Sequence, residues 1–204
     1  IRHGFNLDRF TTNVRKILDH APKTRLTFMC TYNALSPFQF RYLLEYVLKL
    51  RRDYPDSYIL LDISYLRYPP HQSVKILGGK ANDIIHEDVE FMKSRPRNYG
   101  EQADGFYPAE IEKLERIYQY VVSDPEPKNL KKDQKDFFSF FKEHDKRRKT
   151  DLLATFPQLK DFDQIDSFKR DLMDAINEDQ VRKNHWQEIL KIPPTMCKAK
   201  WLQS

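Results

Sequence analysis

Polar side chains follow two strand-like apolar runs, at the positions where an α/β sheet presents its chemistry. The run at 25–31 leads into Asn33, and the run at 58–63 leads into Ser64 and then Arg67. The carboxyl ends of parallel strands meet at one edge of a sheet, so side chains that follow two such strands can converge on one ligand. Each run is followed by a segment with helical periodicity, as expected for βα units.

Asn33, Ser64 and Arg67 are therefore the candidate binding residues. The Asn33 amide can bind a ligand carboxylate or hydroxyl, or it can satisfy the backbone of its own turn. Arg67 can hold a carboxylate or a phosphate through two parallel hydrogen bonds. Asp62, inside the second run, is either a site carboxylate or the partner of a neighbouring arginine. Cys30, on the first run, is interpreted as a small core residue.

The rest of the chain contains no self-sufficient catalytic signature. It has no glycine-rich phosphate loop, no His-Glu-x-x-His and no Gly-x-Ser-x-Gly. His86 and His144 each stand beside acidic residues, and we interpret both as surface side chains. The basic cluster at 142–149 could contact phosphates but lacks aromatic residues for base stacking on its face, so nucleic acid is not an expected partner. We expect the phenylalanines of 137–141 to pack their helix on the sheet.

Periodicity, capping residues and prolines predict the order helix, strand, helix, strand and then a mainly helical remainder. Asn6 is the predicted N-cap of the first helix and Ser36 that of the second, with Pro37 at its first position. Further helices are predicted at 81–93, 108–121, 133–148, 162–177 and 179–190, with a loop at 94–107.

Composition fits one domain, or one and a half, in 204 residues. Hydrophobic residues make up 40%, enough for a core, and the net charge is only +5, because 35 basic residues are balanced by 30 acidic ones. Two cysteines far apart in the sequence indicate a reducing compartment. Without an apolar run of about 18 residues or a signal peptide, we expect a cytoplasmic protein, or a phage-encoded intracellular one, with no membrane contact.

Four passages together resemble one enzyme family. They are 1–10 (IRHGFNLDRF), 26–36 (LTFMCTYNALS), 61–69 (LDISYLRYP) and 138–148 (FSFFKEHDKRR), the last with Thr-Phe-Pro at 155–157. They are similar to the second half of radical S-adenosylmethionine (SAM) proteins of the phage and marine type, with a reduced, twitch-like C-terminal extension. The resemblance covers most of residues 1–162.

The resemblance implies a partial (β/α) barrel with a mainly helical C-terminal extension. In that family three cysteines of the first loop hold a [4Fe–4S] cluster, and the cluster cleaves SAM to a radical that takes hydrogen from the substrate. By this comparison 25–31 is the fifth barrel strand and 58–63 the sixth. Asn33, Ser64 and Arg67 would then face SAM or a small-molecule or peptide substrate.

The chain departs from the family because the first four strands and the three-cysteine motif are missing. We therefore expect it to be inactive alone, to bind neither cofactor alone, and to pair with the missing barrel half, in cis or as another chain. A competing interpretation is a non-catalytic interaction module of a larger assembly, and a weaker one is an RNA-binding module.

The resemblance divides the chain into a barrel part at 1–93, a helical twitch-like extension at 94–161 and a helical tail at 162–204. Residues 194–203 resemble the lead-in to the family's N-terminal part, where a Cys-x-x-x-Trp stretch opens the first strand. Three accounts are open: a second unit in tandem, a permuted gene, or segments assembled in an unusual order. Cys197 is then a candidate iron–sulfur ligand, or else a buried thiol beside Trp201.

Overall fold

The computed structural model describes residues 4–98, 104–125 and 127–161. Its elements, in chain order, are α1 (Leu7–His20), β1 (Arg25–Tyr32), α2 (Phe40–Asp53), β2 (Tyr58–Tyr65), two short 3₁₀ helices (Pro70–Gln72 and Val74–Leu77), α3 (Lys80–Lys93), α4 (Pro108–Val122), α5 (Leu130–Arg148), α6 (Leu152–Thr155) and a last 3₁₀ helix (Pro157–Asp161). The chain divides into two compact units, Ile1–Gln158 and Leu159–Ser204. The helices predicted at 162–177 and 179–190, and the Cys197 segment, lie outside the described residues.

The predicted alternation of helix and strand is confirmed up to β2. Asn6 caps α1, and its side-chain oxygen accepts a hydrogen bond from the Arg9 amide at 2.8 Å. The prediction that Ser36 caps α2 is wrong, because α2 begins only at Phe40. The Ser36 hydroxyl instead accepts a hydrogen bond from the Asn33 amide, so it closes the turn after β1.

β1 and β2 form a parallel sheet, in register from Arg25 opposite Tyr58, and its two faces differ. One face is covered by α1 and α2, whose aromatic rings pack on Phe28. The buried residues of β2 lie on this face: Ile59, Leu61 and Ile63. On the opposite face Met29 is 83% exposed. The described residues thus contain two parallel strands with helices on one side, and the barrel stays a prediction.

The outer edge of β2 is sealed by two buried side chains of opposite charge. Arg51 of α2 donates two hydrogen bonds to the Ile59 carbonyl, at 3.0 and 2.7 Å. Glu110 of α4 accepts a hydrogen bond from the Leu61 amide at 2.7 Å. These backbone groups point away from β1, so the side chains take the place that a third strand would occupy.

The same two side chains pair with each other at 2.7 Å, with exposures of 0% for Arg51 and 5% for Glu110. Arg51 also donates to the Gly105 carbonyl. The second oxygen of the Glu110 carboxylate accepts from the Tyr107 amide at 3.0 Å. The ion pair therefore joins α2, β2 and α4 to the segment that precedes α4.

The outer edge of β1 is open. Hydrogen bonds from Tyr58 N to Thr24 O and from Leu66 N to Tyr32 O show that even-numbered residues of each strand point toward the other strand. The odd-numbered backbone groups of β1 consequently point outward. Among the described residues, nothing pairs with β1 except β2, so the edge can accept another strand.

The remaining helices do not extend the sheet, and among them α4 contacts β2. α3 packs against α4, and α5 packs mainly on the two short 3₁₀ helices. The prediction that the phenylalanine-rich helix packs on the sheet is therefore wrong, although Phe137 and Phe141 are buried. Within the described ranges no helix is both long and apolar enough to cross a membrane.

Replacement of Glu110 by Ala will destabilise the protein by about 3–5 kcal/mol, because Arg51 then keeps a buried charge without its counter-ion. Glu112, on the same helix, is 67% exposed and lies 3.7 Å from Arg116. The control Glu112→Ala will cost less than about 1 kcal/mol. Urea unfolding measures both free energies, and equal losses in the two variants would contradict the structural role of the ion pair.

Candidate functional site

The open face of the sheet carries polar side chains toward its carboxyl end. Thr31 of β1 stands opposite Ser64 of β2, and both are exposed. The Ser64 hydroxyl makes a long hydrogen bond, 3.4 Å, to the Cys30 carbonyl. Asp62 lies two residues earlier on the same face and pairs with Lys113 of α4. The pairing predicted for Asp62 is thus found with a lysine rather than an arginine.

Arg67 is held in place by two tyrosines. Its guanidinium donates a hydrogen bond to the Tyr65 hydroxyl and lies 4.9 Å from the centre of the Tyr65 ring and 5.6 Å from that of Tyr120. The hydrogen bond to Tyr65 raises the pKa of Arg67. Arg67 has no carboxylate partner within the described chain, so its remaining N–H groups are available to an anion.

Ser64 and Arg67 share one cleft of about 380 Å³, here called the β2 cleft. Its other lining residues are Ile63, Tyr65, Lys113 and Arg116. Lys113 and Arg116 come from α4, about 50 residues further along the chain than Ser64, and nothing in the local sequence connects them with it. Lys113 and Arg116 already pair with Asp62 and Glu112. Arg67, beside the Ser64 hydroxyl, is therefore the group that favours a carboxylate or a phosphate in this cleft.

Asn33 lies apart from the β2 cleft. Its side-chain oxygen accepts a hydrogen bond from the Leu35 amide at 2.9 Å, and its nitrogen lies 3.4 Å from the Thr31 carbonyl. These contacts are those of an amide that satisfies the backbone of its own turn. The structure therefore brings together two of the three predicted binding residues.

A second cavity, here called the α5 cavity, has a volume of about 250 Å³. It is lined by Asn33, Ala34, Leu35, Gln72, Phe137, Phe140, Phe141 and His144. His144 was predicted to be a solvated side chain, but its exposure is only 18%. The signal that could have found it is spacing, since His144 lies three residues after Phe141 and seven after Phe137, on one face of α5.

His86, the second histidine that stands beside acidic residues, is exposed as predicted. Its ring centroid lies 5.3 Å from that of Tyr118. Its acidic neighbour Asp88 is buried and pairs with Arg41 at 2.6 Å. Burial raises the pKa of Asp88, and the hydrogen bond from Arg41 opposes that shift. This pair ties α2 to α3 and lines neither cavity.

The residues described do not fit an iron–sulfur cluster. Cluster ligands are thiolates, whereas burial raises the pKa of Cys30 to about 11. Within the described ranges no group of three His, Cys, Asp or Glu side chains could hold a metal ion. Cys197, the other candidate, lies outside these ranges.

Comparison with known proteins identifies no relative: no family model, no curated protein and no solved structure matches the chain. The resemblance to radical SAM proteins therefore stays a prediction. Inference about function rests on the geometry of the sheet, the β2 cleft and the α5 cavity.

Alkylation of Cys30 by iodoacetamide will be slow at neutral pH and will reach half its maximal rate near pH 11, because only the thiolate reacts. At pH 8 about 0.1% of a thiol with this pKa is ionised, so labelling will be roughly 200-fold slower than for an ordinary cysteine. Peptide mass spectrometry separates Cys30 from Cys197, and the urea-unfolded chain is the control. A midpoint near pH 8.5 in the folded protein would show that burial does not control this thiol.

Proposed function

We propose that the chain supplies the last two strands of a radical SAM-type barrel, or of a degenerate relative, and pairs through β1 with the half that carries the cluster. The observation that carries this proposal is the difference between the two sheet edges. β2 is sealed by Arg51 and Glu110, whereas the outward backbone groups of β1 have no partner among the described residues. A sheet built in this way can grow only on the β1 side.

The two faces of the sheet support the same proposal. In a (β/α) barrel the helices cover the outside, and the opposite face of each strand points into the barrel. Here α1 and α2 cover one face, and the other carries Thr31, Asp62 and Ser64. Ser64 and Arg67 would accordingly face SAM or the substrate, and Arg67 would bind a carboxylate.

Exposed apolar side chains beside β1 give further support. On and just before α1 they are Phe5, Leu7 and Ile17, each at least half exposed. The helix of a βα unit added beside β1 would pack against α1 and bury these side chains. Met29 on β1 would be covered by the same partner.

The chain would contribute recognition rather than radical chemistry. Its described residues offer no set of ligands for a cluster. The cluster and the iron-bound end of SAM would then belong to the other half, in the same chain or in another, inside a reducing cytoplasm. The substrate would be a small molecule or a peptide. The second candidate function, a non-catalytic interaction module, is favoured by the same exposed apolar surface and differs in binding neither cofactor.

Hydrogen exchange will detect strand pairing directly. In the chain alone the Leu26 and Phe28 amides, which face β2, will exchange slowly, and the outward amides of Thr27 and Met29 will exchange fast. Once the chain is assembled with the half that carries the preceding strands, all four amides will be protected. Fast exchange at Thr27 and Met29 in the assembled protein would refute pairing at β1.

Anaerobic reconstitution with iron and sulfide separates the two candidate functions. We expect the assembled barrel to become brown and to bind SAM, whereas the chain alone stays colourless. Arg67→Gln will weaken SAM or substrate binding about tenfold, since it removes a charged donor. The exposed control Arg147→Gln will not. An assembled protein with a protected β1 edge but neither colour nor SAM binding would leave only the interaction module.

A further inference from the structure

The α5 cavity has an aromatic wall that no proposed role explains. Phe137 and Phe141 are buried and their ring centroids lie 4.7 Å apart. Phe140 stands at 87° to the Phe141 ring and remains 42% exposed. An exposed aromatic ring at the margin of a cavity is a surface on which a second flat ring can stack.

The polar groups of the cavity have hydrogen-bonding capacity left. Neither the Gln72 carboxamide nor His144 Nε2 forms a hydrogen bond with the described residues. His71, next to Gln72, has a buried Nε2 without a partner in this part of the chain, and its ring lies 5.7 Å from Phe140. A carboxamide can form two hydrogen bonds at once with a planar ligand whose edge carries a donor next to an acceptor.

His144 is positioned by its neighbour. The Asp145 carboxylate accepts hydrogen bonds from the Thr150 hydroxyl at 2.6 Å and the Leu152 amide at 2.8 Å, and lies 3.6 Å from His144 Nδ1. Burial opposes ionisation of Asp145, but these hydrogen bonds outweigh it and lower its pKa. A carboxylate beside Nδ1 favours the proton there, which leaves Nε2 as the acceptor.

The cavity also lacks a cation. No lysine or arginine is among its lining residues, in contrast to the β2 cleft. A phosphate or carboxylate would find no counter-ion here, so the lining favours a neutral ligand.

We propose that the α5 cavity binds a neutral planar heterocycle of the nucleobase class, stacked on Phe140, with Gln72 and His144 contacting its polar edge. All of these residues belong to the compact unit Ile1–Gln158. The lining comes from the turn after β1, the first 3₁₀ helix and α5, so the proposed site requires no added strand, cluster or SAM.

The test is titration of the full chain with adenine and with cytosine, followed by calorimetry and by the ¹⁵N signals of the His144 ring. We expect saturable binding of at least one base, with Kd on the order of a millimolar, and a shift of Nε2. Benzyl alcohol has an aromatic ring but no adjacent donor and acceptor on the ring edge, and it will bind at least about tenfold more weakly than the bases.

Two variants and two controls locate the ligand. Phe140→Leu and His144→Phe will each weaken binding about tenfold. Tyr42→Leu and His20→Phe change exposed aromatic residues of α2 and α1, outside the cavity, and will leave Kd unchanged. Circular dichroism confirms that each variant is folded.

Three results would overturn the proposal. They are no saturable binding of either base, binding of benzyl alcohol as tight as that of the bases, or the same loss of affinity in the control variants as in the cavity variants. If a cavity variant does not fold, the Nε2 shift in the unmodified chain decides. An unshifted Nε2 at saturating base excludes the site. None of these outcomes affects hydrogen exchange of the β1 amides, which tests the barrel proposal. The two proposals can therefore fail separately.

Discussion

The ion pair between Arg51 and Glu110 is the interaction on which the sheet, α4 and the segment before α4 all depend. Removing two charges from water is costly, and their attraction compensates only when the remaining donors and acceptors are satisfied. Here the guanidinium reaches the carbonyls of Ile59 and Gly105, and the carboxylate accepts from the amides of Leu61 and Tyr107. The pair therefore also serves as the hydrogen-bond partner of the outer edge of β2.

The segment before α4 has to follow one path for this network to form. Gly105 is required there, since a Cβ would lie 2.6 Å from the carbonyl oxygens of both Arg95 and Pro96. This close approach accompanies the bridge between Pro96 and Phe106 and brings the Gly105 carbonyl to Arg51. Once Glu110 is fixed, Lys113 lies one turn further along α4, where it reaches Asp62. The buried pair thus fixes the position of Lys113, one of the basic residues that line the β2 cleft.

Local patterns predicted much of the fold and only part of the site. Apolar periodicity and the Asn6 cap located α1 and both strands, because these signals act over a few residues. Ser36 misled the prediction of α2, since a hydroxyl can cap a helix or close a turn equally well. Arg51 and Glu110 lie 59 residues apart, and no local spacing indicates that they meet. The same holds for Gln72 and His144, which α5 brings to one cavity only by packing on the 3₁₀ helices.

The two candidate sites differ in charge, and this difference separates their roles. The β2 cleft is lined by three basic side chains and lies at the open, polar face of a sheet that can grow only past β1. A parallel pair gains stability from further strands and covered faces. In the proposed barrel, a second half would therefore also contact the ligand of this cleft. The α5 cavity has no lysine or arginine in its lining and is formed by the turn after β1, the first 3₁₀ helix and α5. If the proposed barrel forms, assembly would change binding at the β2 cleft, whereas base binding in the α5 cavity requires no added strand.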